Sequence, residues 1–182
     1  RQNEVLKLIK YFSYIEKYIS KNNLNYKIFI PTLPHLVDII KKRTAKWKTE
    51  TLISYDIDNF DNLYEDVFIS ITCSGTASLE IAKRNIPQII VYKLNYTTEL
   101  LLRFLVRVRN ACLLNIISNK IIIPEIVNSQ LTNKNIIKSF ELLLNDENFR
   151  DTQIKNVNYY LPNIESNQSP YDISVKRIMS LI

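Results

Sequence analysis

Apolar residues recur at Val5, Leu6, Leu8, Ile9, Phe12, Ile15 and Ile19. Steps of three and four place them on one helical face, so the spacing predicts an amphipathic helix over residues 3–21. A different pattern follows. Residues 26–30 form a short apolar run closed by Pro31, and 51–54, 67–72 and 88–92 are similar runs. They are rich in Ile and Val and lack polar alternation. Such runs read as strands buried on both faces, which is how a parallel sheet is written in sequence. Helical spacing returns between them over 36–47, 60–64 and 74–84, and Pro87 closes the last of these helices.

Short strands alternating with helices predict the α/β class, with a Rossmann-like parallel sheet flanked by helices. Residues 97–108 read as a very apolar helix studded with arginine. The tail changes character: 131–145, 149–160 and 173–182 read as successive helices, with a loop over 166–171. The expected organisation is a Rossmann-like domain over 1–160 and a helical C-terminal extension over 161–182. No apolar run reaches the ~18 residues that a spanning helix needs. The amino end is a charged amphipathic stretch and has no secretory pattern. It begins with Arg1 and enters a helix at once, which leads us to expect a piece of a longer protein or a split reading frame.

Composition changes this picture at two points. The chain of 182 residues holds one glycine, Gly75. Asparagine is abundant and can take left-handed positions in its place. The net charge of +6 favours anionic partners such as phosphorylated ligands, nucleic acid or acidic lipid, or else a solvated lysine-rich face. Basic residues are scattered and not interleaved with aromatics on one element, so nucleic acid is not expected as a partner. Cys73 and Cys112 lack metal-ligand spacing and read as two reduced thiols. No metal, no cofactor and no catalytic residue is assigned.

The chemistry-bearing segment is V-F-I-S-I-T-C-S-G-T-A-S-L-E, residues 67–80. A buried strand ends near Cys73, Gly75 follows between Ser74 and Thr76, and a helix begins. Ligands of open parallel sheets bind beyond the carboxyl ends of strands, at turns of this kind. The helix amino end offers unpaired N–H groups and a positive dipole to a phosphate. Ser74 and Thr76 can bind phosphate oxygens or cap the helix. Glu80 lies one turn beyond Thr76 and can accept from two ribose hydroxyls. A plain capping arrangement uses the same residues and stays open at this point.

S-G-T-A-S-L-E, followed by I-P-Q-I-I-V-Y-K-L at 86–94, resembles the signature of lipid-A-disaccharide synthases. R-F-L-V-R-V at 103–108, L-L-N-I-I at 113–117 and I-P-E-I-V at 123–127 continue it in order. Arg1 to Glu4 resembles the end of that family's glycine-serine-arginine motif. The resemblance covers essentially the whole chain. It implies the C-terminal, donor-binding half of a GT-B glycosyltransferase. The donor would be UDP-2,3-diacylglucosamine, and lipid X would be held by an N-terminal domain outside this chain, which would also supply the base. It implies donor contacts from Arg1, Ser74, Gly75, Thr76, Glu80 and Asn115, and a cytoplasmic protein, peripheral at the inner face of the bacterial inner membrane. Leu114 stands where the family has proline, and Asn119-Lys120-Ile121 where it has glycine-arginine-glutamate. These departures bear on catalysis more than on fold. The chain alone is expected to lack transferase activity. A non-catalytic nucleotide-sugar-binding remnant is the alternative, and a basic nucleic-acid-binding domain ranks below it.

Four further expectations concern single features. His35 reads as a capping or surface residue, and Trp47 as packed core. The segment 97–109, with Arg103, Arg107 and Arg109, either lies on an anionic membrane or is a buried helix with its arginines reaching outward. The last helix, 173–182, has an apolar face suited to a homodimer.

Overall fold

A computed structural model describes residues 2–56, 60–73, 75–93, 110–164, 175 and 177–180. Helix α1 (Gln2–Lys21) comes first, then β1 (Ile28–Pro31), α2 (Val37–Thr44) and β2 (Thr51–Ser54). Helix α3 (Phe60–Glu65), β3 (Ser70–Thr72), α4 (Thr76–Lys83) and β4 (Gln88–Tyr92) follow. The described chain continues with α5 (Leu113–Ser118), β5 (Glu125–Val127), α6 (Asn133–Asn145) and α7 (Glu147–Tyr160). The fold is α/β with parallel sheets flanked by helices, as the hydrophobic pattern predicts. The sheet is split: β1 pairs with β2, and β3-β4-β5 form a separate three-stranded sheet. Every pairing is parallel, with Ile30 opposite Ile53, Ile71 opposite Ile89 and Val91 opposite Ile126.

Strand β4 organises the core because its side chains alternate between two helical layers. Ile89 and Val91 join Leu8, Tyr11, Ile15 and Ile19 of α1 and Ile136, Phe140 and Leu143 of α6 in one cluster. Ile90 points the other way, to Ala82 of α4, Leu114 of α5 and Val157 of α7. Ile89, Ile90 and Val91 are wholly enclosed, and burial of each contributes about 2 kcal/mol. A third cluster joins Ile9 of α1 to Leu36 and Ile40, with Ile30 and Ile53 partly buried against it.

Buried polar groups tie these layers together. The Gln88 N–H donates to the Gln153 side chain at 2.7 Å, the Gln88 amide donates to the Ser78 carbonyl at 2.8 Å, and Thr72 donates to Gln88 at 2.8 Å. This network links β3, β4, α4 and α7. Buried Glu16 of α1 accepts the Lys48 and Thr49 N–H groups at 2.7 and 3.2 Å and holds the turn ahead of β2. Asp146 ends α6 with its N–H on the Leu142 carbonyl and opens α7 by accepting from the Phe149 N–H at 2.9 Å.

Asparagine takes the left-handed turns, at Asn23, Asn85, Asn119 and Asn128. Asn119, which stands where the resembled family has glycine, caps α5 at φ 51°. One expectation needs correction. The strands are not all buried on both faces: β4 is, but β1, β2 and β3 are half-exposed. Among the described residues β1, β2 and β3 each have a single ladder, whereas β4 has two. Trp47 is half-buried beside the third cluster, past the end of α2. His35 is exposed on a 3-10 turn.

Candidate functional site

The turn between β3 and α4 is built around Gly75, at φ 122° and ψ −153°. An L-residue side chain is excluded from that region of backbone space, so the glycine is required by conformation. It is not required by crowding, because a Cβ there would meet nothing within 4 Å. Gly75 is the N-cap residue, and no side chain caps the helix among the described residues. Ser78, in the first turn and buried, bonds back to the Gly75 carbonyl through its N–H at 3.1 Å and its hydroxyl at 2.7 Å. Gly75, Thr76 and Ala77 are exposed. The result is an open helix end at the carboxyl edge of a parallel strand, with its positive dipole directed outward. Of the residues expected here, Gly75 and Thr76 come together at this end, while Ser74 and Arg1 lie outside the described residues.

Glu80 is exposed one turn further along α4. Its neighbours form a charged cluster with α3: Arg84 pairs with Asp61, and its guanidinium lies 4.7 Å from the centre of the Tyr64 ring. Burial raises the Tyr64 phenol above its ordinary value; Arg84 opposes this, and the carboxylates of Glu80 and Asp61 add to it. Lys93 follows β4 and donates to the Asn128 carbonyl at 3.2 Å, bridging the carboxyl ends of β4 and β5. It places a cation on the edge that carries Gly75. The sequence offered a signal for it, since a lysine immediately after a buried strand falls on the ligand side of a parallel sheet.

Asn115 sits elsewhere. It is fully buried, and its amide donates to the Ile123 carbonyl at 2.7 Å and to Glu125 at 2.6 Å. Its carbonyl oxygen accepts from the Ile122 and Ile123 N–H groups at 2.9 and 3.0 Å. Every polar position of the side chain is engaged within the fold. In this arrangement Asn115 braces α5 against β5. Glu125 completes that brace by accepting from the Ala111 and Cys112 N–H groups at 2.6 and 3.1 Å. Burial pushes the Cys112 thiol up, with backbone hydrogen bonds from Asn115 and Leu114 opposing it, so it is a poor nucleophile.

A family model described as lipid-A-disaccharide synthetase matches residues 1–178. The chain belongs to the lipid-A-disaccharide synthetase family. It is 25% identical over 158 residues to a lipid-A-disaccharide synthase of Rhodospirillum centenum, covering 86% of this chain and 39% of that protein. A protein of the same description from Wigglesworthia glossinidia brevipalpis is 31% identical over 151 residues, covering 81% of this chain and 38% of its own length. A third, from Gluconobacter oxydans, is 27% identical over 124 residues, covering 68% of this chain and 30% of that protein. The chain thus spans well under half the length of these curated relatives.

In this member of the lipid-A-disaccharide synthetase family, a cavity of about 480 Å³ between α2 and β2 and one of about 610 Å³ where α6 meets α7 contain none of the expected site residues. Among the described residues no group of three His, Cys, Asp or Glu could hold a metal. None of their helices is long and apolar enough to cross a membrane. The segment 97–109 and half of the expected last helix, 173–182, lie outside the described residues.

Proposed function

We propose that this chain is the donor-binding half of a glycosyltransferase of the lipid-A-disaccharide synthase type. The donor is UDP-2,3-diacylglucosamine, and its diphosphate lies on the open amino end of α4. The observation that carries this reading is Gly75, which leaves that end uncapped and accessible at the carboxyl edge of β3. Backbone N–H groups at such an end attract phosphate by hydrogen bonding and dipole together. Thr76 supplies a hydroxyl, Lys93 supplies positive charge from the next strand, and the Glu80 carboxylate accepts from the ribose hydroxyls. Ser74 and Arg1 belong to the same reading through the sequence resemblance.

Transfer to lipid X needs the acceptor hydroxyl and a base held against the donor carbon across a cleft. The relatives have more than twice the chain in which to provide that second wall. The isolated chain therefore binds donor without turning it over. The apolar residues Val175, Ile178 and Met179 are exposed, which suits contact with a second domain or a second copy. Membrane attachment through 97–109 accords with a lipid substrate.

The test is calorimetric titration of UDP into the chain and into its Gly75→Val variant, with a parallel assay for disaccharide formation. Binding by the parent and loss in the folded variant is the expected result. Equal binding by both would remove the site from the α4 turn, and turnover by the isolated chain would overturn its half-enzyme role.

A further inference from the structure

The positive charge, expected to be scattered, has one point of concentration. Lys41, Lys42, Arg43, Lys46 and Lys48 put five cations into eight consecutive residues, with Trp47, the only tryptophan, among them. No acidic residue lies between 39 and 49. All five cations are exposed. Among the described residues none of them has an ion-pair partner. Asp38, a turn earlier on α2, makes no ion pair with them, and Glu50 is taken by Lys27 at 2.8 Å.

Lys41, Lys42 and Arg43 lie in the last turn of α2, where the helix dipole is negative. That end carries only about half an elementary charge, so five cations leave a large positive excess. Like charges held this close repel one another, and an anion relieves the repulsion.

The cavity between α2 and β2 lies beside this run. Lys41 and Thr44 of α2, Trp47 and Thr49 of the turn, and Thr51 and Leu52 of β2 line it. Its volume, about 480 Å³, is that of a small-molecule site. The fold sets its walls. Glu16 holds the Lys48 and Thr49 N–H groups, and the Trp47 N–H donates to the Thr44 carbonyl at 2.8 Å.

The hydroxyls are not used alike. Thr44 donates to the Ile40 carbonyl at 3.0 Å, and Thr51 donates to the Thr49 carbonyl at 2.9 Å. The Thr49 hydroxyl is enclosed and has no hydrogen-bond partner among the described residues. Such a group is costly to leave unanswered. The Trp47 indole N–H and the Lys41 ammonium also have no acceptor among the described residues. Three kinds of donor thus border one cavity, and the ligand that suits them is anionic and rich in oxygen acceptors.

We propose that this cavity is a binding site for a small phosphorylated molecule. Lys41 and Thr49 hold its phosphate, and its ring or chain lies on Trp47 and the exposed Leu52. Lys42, Arg43, Lys46 and Lys48 draw the anion in from solution. The site lies at the start of β2, whereas the Gly75 turn follows the end of β3, and the two share no residue. It is therefore independent of the donor reading.

Trp47 reports on this place alone, because no other tryptophan contributes. Its fluorescence is followed as glucose 6-phosphate is added to the full chain at constant ionic strength. A saturable change is expected, weakened about tenfold in Lys41→Gln by loss of a charge-assisted hydrogen bond. UDP affinity stays unchanged in that variant. Thr49→Val is expected to weaken the response about threefold and to keep or raise the thermal midpoint, since the hydroxyl it removes has no partner in the fold. Lys134→Gln, on α6, removes the same charge elsewhere and should bind as the parent does. Phosphatidylcholine vesicles with phosphatidic acid form a second arm. A response to these and not to glucose 6-phosphate, lost in Lys41→Gln, keeps the phosphate site and assigns its source to a lipid headgroup. No saturable response to either probe, equal weakening in Lys134→Gln and Lys41→Gln, or a destabilised Thr49→Val would overturn the proposal.

Discussion

The turns that open α4 and α5 both lack a side-chain hydrogen-bond cap, and they differ in what holds the backbone around them. A helix begins with N–H groups that have no partner within it. Ahead of α5, the Glu125 carboxylate takes the N–H groups of Ala111 and Cys112, and Asn115 fixes that carboxylate from the side. At α4, Gly75 brings no side chain and the end stays open to solvent. Glu125 thus holds the backbone just ahead of α5 and takes none of that helix's own first-turn N–H groups. Among the described residues no side chain reaches the first turn of α4 as a cap. Asn115 shows that a polar residue of a family motif can be one whose atoms the fold itself uses.

The comparison is broken most severely at Glu125. Glu125→Ala leaves the Ala111 and Cys112 amides and the Asn115 amide without their acceptor, at an expected cost of about 3 kcal/mol in urea unfolding. A loss below a few tenths would mean the brace is not structural. Next is Asn115→Ala, expected to cost about 2 kcal/mol of stability. UDP affinity of the folded fraction stays unchanged. A stable variant with weakened UDP binding would return Asn115 to the donor.

Gly75→Val probes the open turn from the other side. Strain at a positive φ lowers UDP affinity by about 1–3 kcal/mol, read by calorimetry on protein that circular dichroism shows folded. Glu80→Gln is milder, at about 1 kcal/mol, and abolishes preference for UDP over 2′-deoxy-UDP. Preference that survives would remove Glu80 from the ribose. The smallest effect is on pH. Folding holds the Cys112 proton more tightly than the unfolded chain does, so its contribution is intact below the ordinary thiol value of 9.0 and fades above it. Cys112→Ser should flatten that alkaline decline in thermal midpoint.

Much of the fold was legible because it rests on local periodicity. The run 88–92 coincides with β4, and the spacing of Leu8, Ile15 and Ile19 gave α1 its buried face. Strand β5 and helix α5 were not read as elements. Glu125 opens a strand of three residues after a proline, and nothing local marks it as paired until Ile90 lies opposite. The Gly75 turn was legible because strand, glycine and helix are contiguous. The enclosure of Asn115 was not, since its partners at 122–125 meet it only through the fold. Exposure of β1 and β3 also escaped the pattern, because an apolar run reports how much burial a strand is suited to and not how much it receives.

The sorting of turn residues by backbone region limits how they can be exchanged. Asn23, Asn85, Asn119 and Asn128 all sit near φ 50°, within reach of a side chain that has a Cβ. Gly75 sits at φ 122°, beyond that reach. Swaps are therefore one-way: glycine can replace any of the four asparagines with the bend retained, but asparagine at position 75 would force the peptide planes around it to rotate. A glycine-poor chain of this kind can give up this residue elsewhere and still cannot spare it at the mouth of α4.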